Sequence, residues 1–394
     1  MIKFLQFTFS IFFCLAFLPL NSQITIEQED YLFLTDFVDT VYWAQSQTIE
    51  APSEGPDQFW DYGNLSHTNT SYTELKSADG NPHYPDAFGY WESNFTFSGL
   101  IAPVIQYYAI DEDGSQYQPG VFYQDTTHSI NPISGGSRDE LTFPERFDLF
   151  EGRVNLLEFP LEYTNMWEGS RKEVTDFNVT VEAFGMAQAP GNRTRFLSEE
   201  REITGWGEVV IPNAEGEPGH PIEVLQVKVI QNMVDSFFVG GSPAPPNLLN
   251  PFGLTQGSET TYTFYLFFTK GFHNNVLRVN LGTSGEVFSA SYRPSANDLI
   301  LNTSDIAAAN DFKLYPNPAR TGSSVTIETG DQFTEGYIRI VDISGRQVHR
   351  SAIDNQTGQI QLDLPAHLIS GNYFYHIFNH SGTFIGTGKM NIMD

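Results

Sequence analysis

The chain runs to 394 residues, enough for two or three domains, with 40 % hydrophobic, 14 % aromatic and only 17 % charged residues. That balance excludes a disordered polyelectrolyte and points to packed, aromatic-rich sheets. Lys+Arg number 20 against Asp+Glu 48, a formal net charge of -28, so phosphate backbones and anionic membrane surfaces are repelled and nucleic-acid binding is excluded.

In chain order, Lys3 precedes an apolar run from Phe4 to Leu20 that Asn21-Ser22-Gln23 closes. This basic, apolar, polar order predicts a secretory signal peptide over 1–22, and with it removed no transmembrane segment is expected. Cys14 is the one cysteine and lies inside that run. The mature protein is therefore expected to have no disulfide, thiolate nucleophile or cysteine-based zinc site.

From 24 to 298 the dominant pattern is two-residue alternation. Phe177, Val179, Val181 and Ala183 share one face, with Asn178, Thr180 and Glu182 on the other. Leu225, Val227 and Val229 repeat the pattern, as do Tyr262, Phe264, Leu266 and Phe268. One-sided strands in such number predict an all-β fold, an antiparallel β-sandwich over 23–298. A turn-rich break near Pro144 to Glu151 suggests two lobes, 23–150 and 151–298. Ser22 to Thr40 offers a single short helix, and the polar, small-residue stretch from Arg293 through 309, centred on 299–309, reads as a linker.

Beyond it, short alternating runs such as Val325 to Glu328 and Tyr373 to Phe378 are spaced by turns at Ser344-Gly345, Thr357-Gly358 and Ser370-Gly371. That spacing predicts a small antiparallel sandwich over 310–394. The segment also carries Tyr315-Pro316-Asn317-Pro318, then Gly345-Arg346, then Gly371-Asn372-Tyr373, and finally Lys389. In these motifs and their order it resembles the type A C-terminal sorting domain of the type IX secretion system. The resemblance implies an immunoglobulin-like β-sandwich. It also implies passage through the periplasm and across the outer membrane of a Gram-negative bacterium, with the secretion translocon and sorting machinery as partners. A secreted or cell-surface location follows. In the cargo, Gln58-Phe59-Trp60-Asp61-Tyr62-Gly63, Phe159-Pro160-Leu161, Gly205-Trp206-Gly207-Glu208-Val209 and Val224-Leu225-Gln226-Val227-Lys228 resemble an ordered pattern in uncharacterised all-β cargo of the same system. Charge divides the two parts: thirteen basic and forty acidic residues from Gln23 to Ala309, six and eight from Asn310 onward.

No catalytic constellation is legible. The cargo has no Gly-x-Ser-x-Gly and no His-Glu-x-x-His, and its histidines His67, His83, His128, His220 and His273 are scattered, as turn or surface residues are. No cofactor is expected beyond calcium at Asp111-Glu112-Asp113-Gly114, where Asp111 and Asp113 supply hard oxygen ligands; the plain alternative is a hairpin turn. Trp60 and Trp206 are the candidates for stacking on a ligand, against the alternative of core packing. Asp39-Thr40-Val41 and Asp125-Thr126-Thr127 resemble short O-glycosylation signals of bacteria that use this route. The sequence is read as an exported protein that adheres to or binds an extracellular ligand, glycan or protein. The rival reading is a secreted hydrolase of polysaccharide or peptide working through a carboxylate pair.

Overall fold

The computed structural model describes residues 23–45, 48–298, 313–328, 335–342, 347–354, 359–365, 368–379 and 384–393. The expected signal peptide, the 299–309 linker, Gly345 and Arg346 lie outside the described residues.

Strands dominate, as the alternation requires. The cargo contributes β1 (Phe37–Gln45), β2 (Gly55–Asp61), β3 (Asn69–Ser77), β4 (Ala87–Phe97), β5 (Leu100–Ile110), β6 (Gln116–Tyr117), β7 (Gly120–Tyr123), β8 (Thr126–Ser129), β9 (Glu140–Phe143) and β10 (Arg146–Leu149). There follow β11 (Glu151–Arg153), β12 (Asn155–Leu157), β13 (Met166–Val181), β14 (Met186–Val210), β15 (Ile222–Val239), β16 (Ser242–Pro243), β17 (Ser258–Phe268), β18 (Leu277–Leu281) and β19 (Val287–Tyr292). The main layer runs β9, β13, β14, β15, β17, β18, β19, β1, β3, each antiparallel to the next. A second layer of β4, β5, β7 and β10 joins it where Lys76 pairs with Tyr90. Pairings cross residue 150 repeatedly: β13 with β9, β14 with β2, and β19 with β1.

Two expectations are corrected. Ser22 to Thr40 holds only a 3-10 turn at Gln28–Asp30, after which β1 begins at Phe37. Arg293 to Asp298 is part of the folded cargo: Pro294–Asp298 is a 3-10 helix, Ala296 is fully buried, and Asn297 Nδ2 donates to the Pro212 carbonyl at 3.1 Å. The sheet is also not wholly antiparallel, because β2 lies parallel to the end of β14, with Gly207 opposite Gln58 and Val209 opposite Trp60.

β17 shows why alternation fades in a central strand. Tyr262 is exposed, yet every residue from Phe264 to Phe268 is buried. Tyr265 and Phe267 enter a core with Trp60, Val209, Val279 and Tyr292, while Phe264, Leu266 and Phe268 enter another with Ile26, Leu161, Ile203 and Val227. A strand covered on both faces reads as a continuous apolar run. A third core, with Phe97, Phe143, Phe177 and Phe237, lies between the layers.

The C-terminal unit is a second sandwich. Its strands are β20 (Lys313–Tyr315), β21 (Ala319–Arg320), β22 (Ser324–Glu328), β23 (Glu335–Asp342), β24 (Gln347–Asp354), β25 (Gln359–Asp363), β26 (Gly371–Asn379) and β27 (Phe384–Met393). They form one sheet of β20, β22 and β25 and another of β21, β27, β26, β23 and β24. Ile327, Ile338, Ile340, Ile360, Ile377 and Met390 fill the space between.

Candidate functional site

β13, β14 and β15 lie side by side, and their register sets Glu173 opposite Arg195 opposite Asp235, and Thr175 opposite Arg193. Alternation then turns Arg193, Arg195 and Leu197 of β14 to one side. Facing them across the sandwich are Val104 and Gln106 of β5 and Tyr123 of β7, and a cavity of about 380 Å³ separates the two walls. Phe95, Phe150 and Met233 complete its apolar part.

Two of its three arginines are held by carboxylates. Arg195 makes a bidentate pair with Asp235, Nε and Nη2 donating at 2.8 and 2.7 Å. Burial opposes its charge, but the Asp235 contacts outweigh that and raise Arg195 above the ordinary arginine value. Arg171 Nε donates to Glu173 at 2.8 Å and Nη2 to Gln118 Oε1 at 3.1 Å, with the guanidinium 4.3 Å from the Phe150 ring centre.

Arg193 is different. It is 6 % exposed, its Nη2 donates to Thr175 Oγ1 at 3.2 Å, and its Nε has no partner. The guanidinium sits 4.6 Å from the Phe95 ring centre, and no carboxylate among the described residues pairs with it. Burial, then the neighbouring Arg195, pulls it below the ordinary arginine value. An arginine offers five donors, and Arg193 commits one of them to the protein, so its guanidinium can serve an anion entering the cavity.

Farther along the same face, Arg201 Nε and Nη2 donate to Glu199 Oε2 at 2.8 and 2.6 Å, and Arg201 Nη1 reaches the Leu156 carbonyl at 2.8 Å. Both side chains are buried, and Gln231 Nε2 also donates to Glu199. This pair closes on itself. The signal for the whole row was present as Arg193-x-Arg195-x-Leu197-x-Glu199-x-Arg201, a period-two pattern with charge where a sandwich core should be apolar.

The residues singled out from the sequence are dispersed. Trp60 is 4 % exposed, 5.0 Å from Phe267 in a T-shaped contact, with its Nε1–H donating to the Ser53 carbonyl at 3.0 Å. Its ring is committed to the core, so it offers no ligand-stacking face. Trp206 is half-buried against the Ile203 and Val227 cluster. Asp111 and Asp113 lie in the turn after β5, where Asp111 Oδ1 accepts the Asp113 and Ser115 amides at 3.1 and 2.8 Å and Oδ2 pairs with Arg153 at 2.5 Å. Among the described residues no group of three or more His, Cys, Asp or Glu is placed to hold a metal.

His273 is not the surface residue expected: its Nε2 lies 3.1 Å from Asp39 Oδ2, which Arg293 Nε also contacts, all three being largely buried. Burial pushes the Asp39 carboxyl up, but these two partners outweigh it and leave it below its ordinary range. Asp39 is thus a structural anion inside the fold.

The cargo motifs meet as neighbours. Gly205 lies opposite Gly55 and Gln226, and Val209 opposite Trp60 and Ile222. Gln226 Nε2 donates to the Ser53 carbonyl and its Oε1 accepts from Thr204, at 3.0 and 2.9 Å. That ordered pattern encodes the join of β2, β14 and β15.

In the C-terminal unit, Asn317 clamps the last strand: its Nδ2 donates to the Lys389 carbonyl at 3.0 Å and its Oδ1 accepts the Asn391 amide at 2.9 Å. Pro316 and Pro318 flank that clamp, each preceded by a cis peptide bond. Tyr315 reaches Glu328 at 3.3 Å, Tyr373 donates to the Ile369 carbonyl at 2.9 Å, and Gly371 opens β26 opposite Ile392.

Residues 313–389 match the family model of the secretion system C-terminal sorting domain. No curated protein matches the chain. Among solved structures, a fungal alcohol oxidase of the AA5 family in complex with copper shares 9 % identity over 78 % of this chain and 95 % of its own, with a TM-score of 0.19. PorZ, a surface component of the type-IX secretion system of Porphyromonas gingivalis, shares 9 % over 84 % of this chain and 62 % of its own, with a TM-score of 0.17. At such scores neither likeness carries an argument. Among the described residues no helix is long and apolar enough to cross a membrane.

Proposed function

We infer, from a chain that its C-terminal sorting domain takes across the outer membrane of a Gram-negative bacterium by the type IX route, that residues 23–298 act outside the cell as one binding module. Its ligand site is the cavity between the layers. The observation that carries this reading is Arg193, a buried cation on the cavity wall with most of its donors unused. A built, partly charged cavity in an otherwise acidic molecule fits a receptor for a small polar ligand, and its volume lies in the lower part of the roughly 300–1,000 Å³ range of ligand pockets.

The hydrolase alternative finds less support. The lining holds one carboxylate, Glu173, which Arg171 already engages, whereas glycoside hydrolysis needs two carboxylates facing each other across the bond. Two experiments test the proposal. Secreted protein applied to an oligosaccharide array binds a subset of glycans, and Gln106→Trp, on the cavity-facing side of β5 with Val104, abolishes that signal without lowering the melting temperature. Undiminished binding by Gln106→Trp would place the site elsewhere. For delivery, removing residues 310–394 leaves the cargo in the periplasm, and normal levels of truncated cargo in the medium would contradict that.

A further inference from the structure

The second layer turns apolar residues to both of its sides. An antiparallel sheet with one side in water carries apolar residues inward and polar ones outward. In β5, Val104 and Gln106 face the cavity, so Ile101, Pro103, Ile105 and Tyr107 point away from it. The register carries that outer face on, with Ile105 opposite Phe122 and Phe122 opposite Phe147. The turn at 81–84 covers part of it: Tyr84 stacks on Tyr107 and His83 on Phe147, with ring centres 4.2 and 3.8 Å apart. Ile101, Phe147 and Leu149 nevertheless stay 55, 39 and 69 % exposed, and His83 and Pro103 are exposed beside them. A contiguous apolar strip of this kind marks a contact surface.

Charge narrows the partner. The strip is close to neutral in a chain of formal net charge -28, and at its β4 edge Lys76 and Glu92 neutralise each other at 2.8 Å. A polyanion is repelled by the molecule as a whole, and a second copy brings the same charge again. An uncharged partner meets neither obstacle. Along the strip, β4 sets Asn94 opposite Pro103 and Thr96 opposite Ile101. Both are exposed, and their side chains make no hydrogen bond among the described residues. Rings and aliphatic side chains next to a free amide and hydroxyl match a pyranose, whose C–H faces are apolar and whose edges carry hydroxyls. From β4 to β10 the face is about 14 Å wide, at three strand spacings, enough for a chain of sugars to lie along it.

We propose that this outer face is a second binding surface, separate from the cavity, and that it takes a neutral polysaccharide lying flat, with C–H faces on His83, Phe147 and Ile105 and hydroxyls on Asn94 and Thr96. A shallow face grips each sugar weakly, so it holds a polymer through many contacts while the short glycans of an array wash off it. Native electrophoresis of the full secreted chain tests this in gels containing mixed-linkage β-glucan, xyloglucan or galactomannan, with polygalacturonate as the anionic control. At least one neutral polymer is expected to retard the protein, and polygalacturonate is not. Phe147→Ala should weaken the retardation about tenfold, as the loss of a stacking ring implies. Because Phe147 also supports His83, the double change Ile101→Ser with Leu149→Ser, at positions more than half exposed, should give a comparable loss at an unchanged melting temperature. Asn94→Ala should cost about threefold, one neutral hydrogen bond. Gln106→Trp, which fills the cavity, leaves the retardation as it was. Free migration through all three neutral polymers, equal retardation by polygalacturonate, or wild-type retardation of the Ile101→Ser, Leu149→Ser variant overturns the proposal. Loss of retardation in Gln106→Trp moves the polymer to the cavity and overturns the separate surface. A dimer in sedimentation that Leu149→Ser dissolves makes a second copy the occupant instead.

Discussion

The two halves of β14 run through one sheet and bury opposite chemistry. From Ile203 to Val210 the strand packs chiefly by apolar contact against Val227, Trp60 and Ile222, with the buried Thr204–Gln226 hydrogen bond among them. From Arg193 to Arg201 its inward face carries three arginines and a glutamate. Apolar burial is non-directional and tolerates small errors, at about 25 cal/mol for each Å² removed from water. Buried charge makes an exact demand at every atom, and where the protein meets only part of that demand the remaining donors can serve a ligand. The Glu199–Arg201 pair and Arg193 stand on one strand face and illustrate the two outcomes.

The contrast can be broken most severely at the apolar end. Gly207 has φ +152°, and a Cβ there would collide with the Gln58 carbonyl oxygen across the parallel pairing. Gly207→Ala should therefore cost more than about 4 kcal/mol, read by urea unfolding of the cargo. A variant of wild-type stability would show that β2 is not held as described.

At the charged end, Glu199→Ala strands Arg201 and should cost about 3 to 5 kcal/mol, whereas the double change Glu199→Leu with Arg201→Met should return to within about 1 kcal/mol of wild type. If the single and double variants are equally destabilised, the pair is not the self-contained unit its geometry indicates.

The sorting domain repeats the trade on a smaller scale. Arg339 and His376 are cross-strand partners, and burial, with Arg339 second, lowers His376 to about 4. Between that value and the ordinary 6.5 the unfolded chain binds the extra proton, so stability is full above about pH 6.5 and falls as pH drops towards 4. The loss should be on the order of 3 kcal/mol, and His376→Asn should flatten the profile between those limits. A wild-type profile that is flat in that window would refute the burial of a neutral imidazole.

The smallest effect is expected at the hairpin after β5. Asp113 is exposed, so Asp113→Asn should move stability by less than about 0.5 kcal/mol, with or without millimolar calcium at matched ionic strength. A calcium-specific rise in melting temperature that the substitution removes would make Asp111 and Asp113 ligands after all.

Much of the fold was legible because one-sided strands write their burial into the sequence. Phe177, Val179 and Val181 alternate as β13 requires, and all three are buried. The sorting domain was legible through Tyr315 to Pro318, where Asn317 has a specific task of clamping β27. The candidate site was not, because Arg193 looks like any surface arginine until the opposite layer covers it. Its neighbours Phe95 and Gln106 come from β4 and β5, far away in the chain. His273 was misjudged for the same reason: Asp39, which buries and pairs it, comes from the other end of the cargo. Trp60 was ambiguous in the sequence, since a large aromatic is as suited to a core as to a sugar.

The pairing of β1 with β19 has a consequence for how the cargo is made. Tyr42 lies opposite Tyr292 and Ala44 opposite Ala290, so a strand synthesised almost first must wait for one synthesised almost last. Contacts of such high sequence separation form slowly, because loop closure has to be achieved before the pairing rewards it. Until β19 is available, one edge of β1 and the apolar side chains behind it stay open to other chains. The cargo is therefore most prone to aggregate in the interval before its last strand pairs with its first.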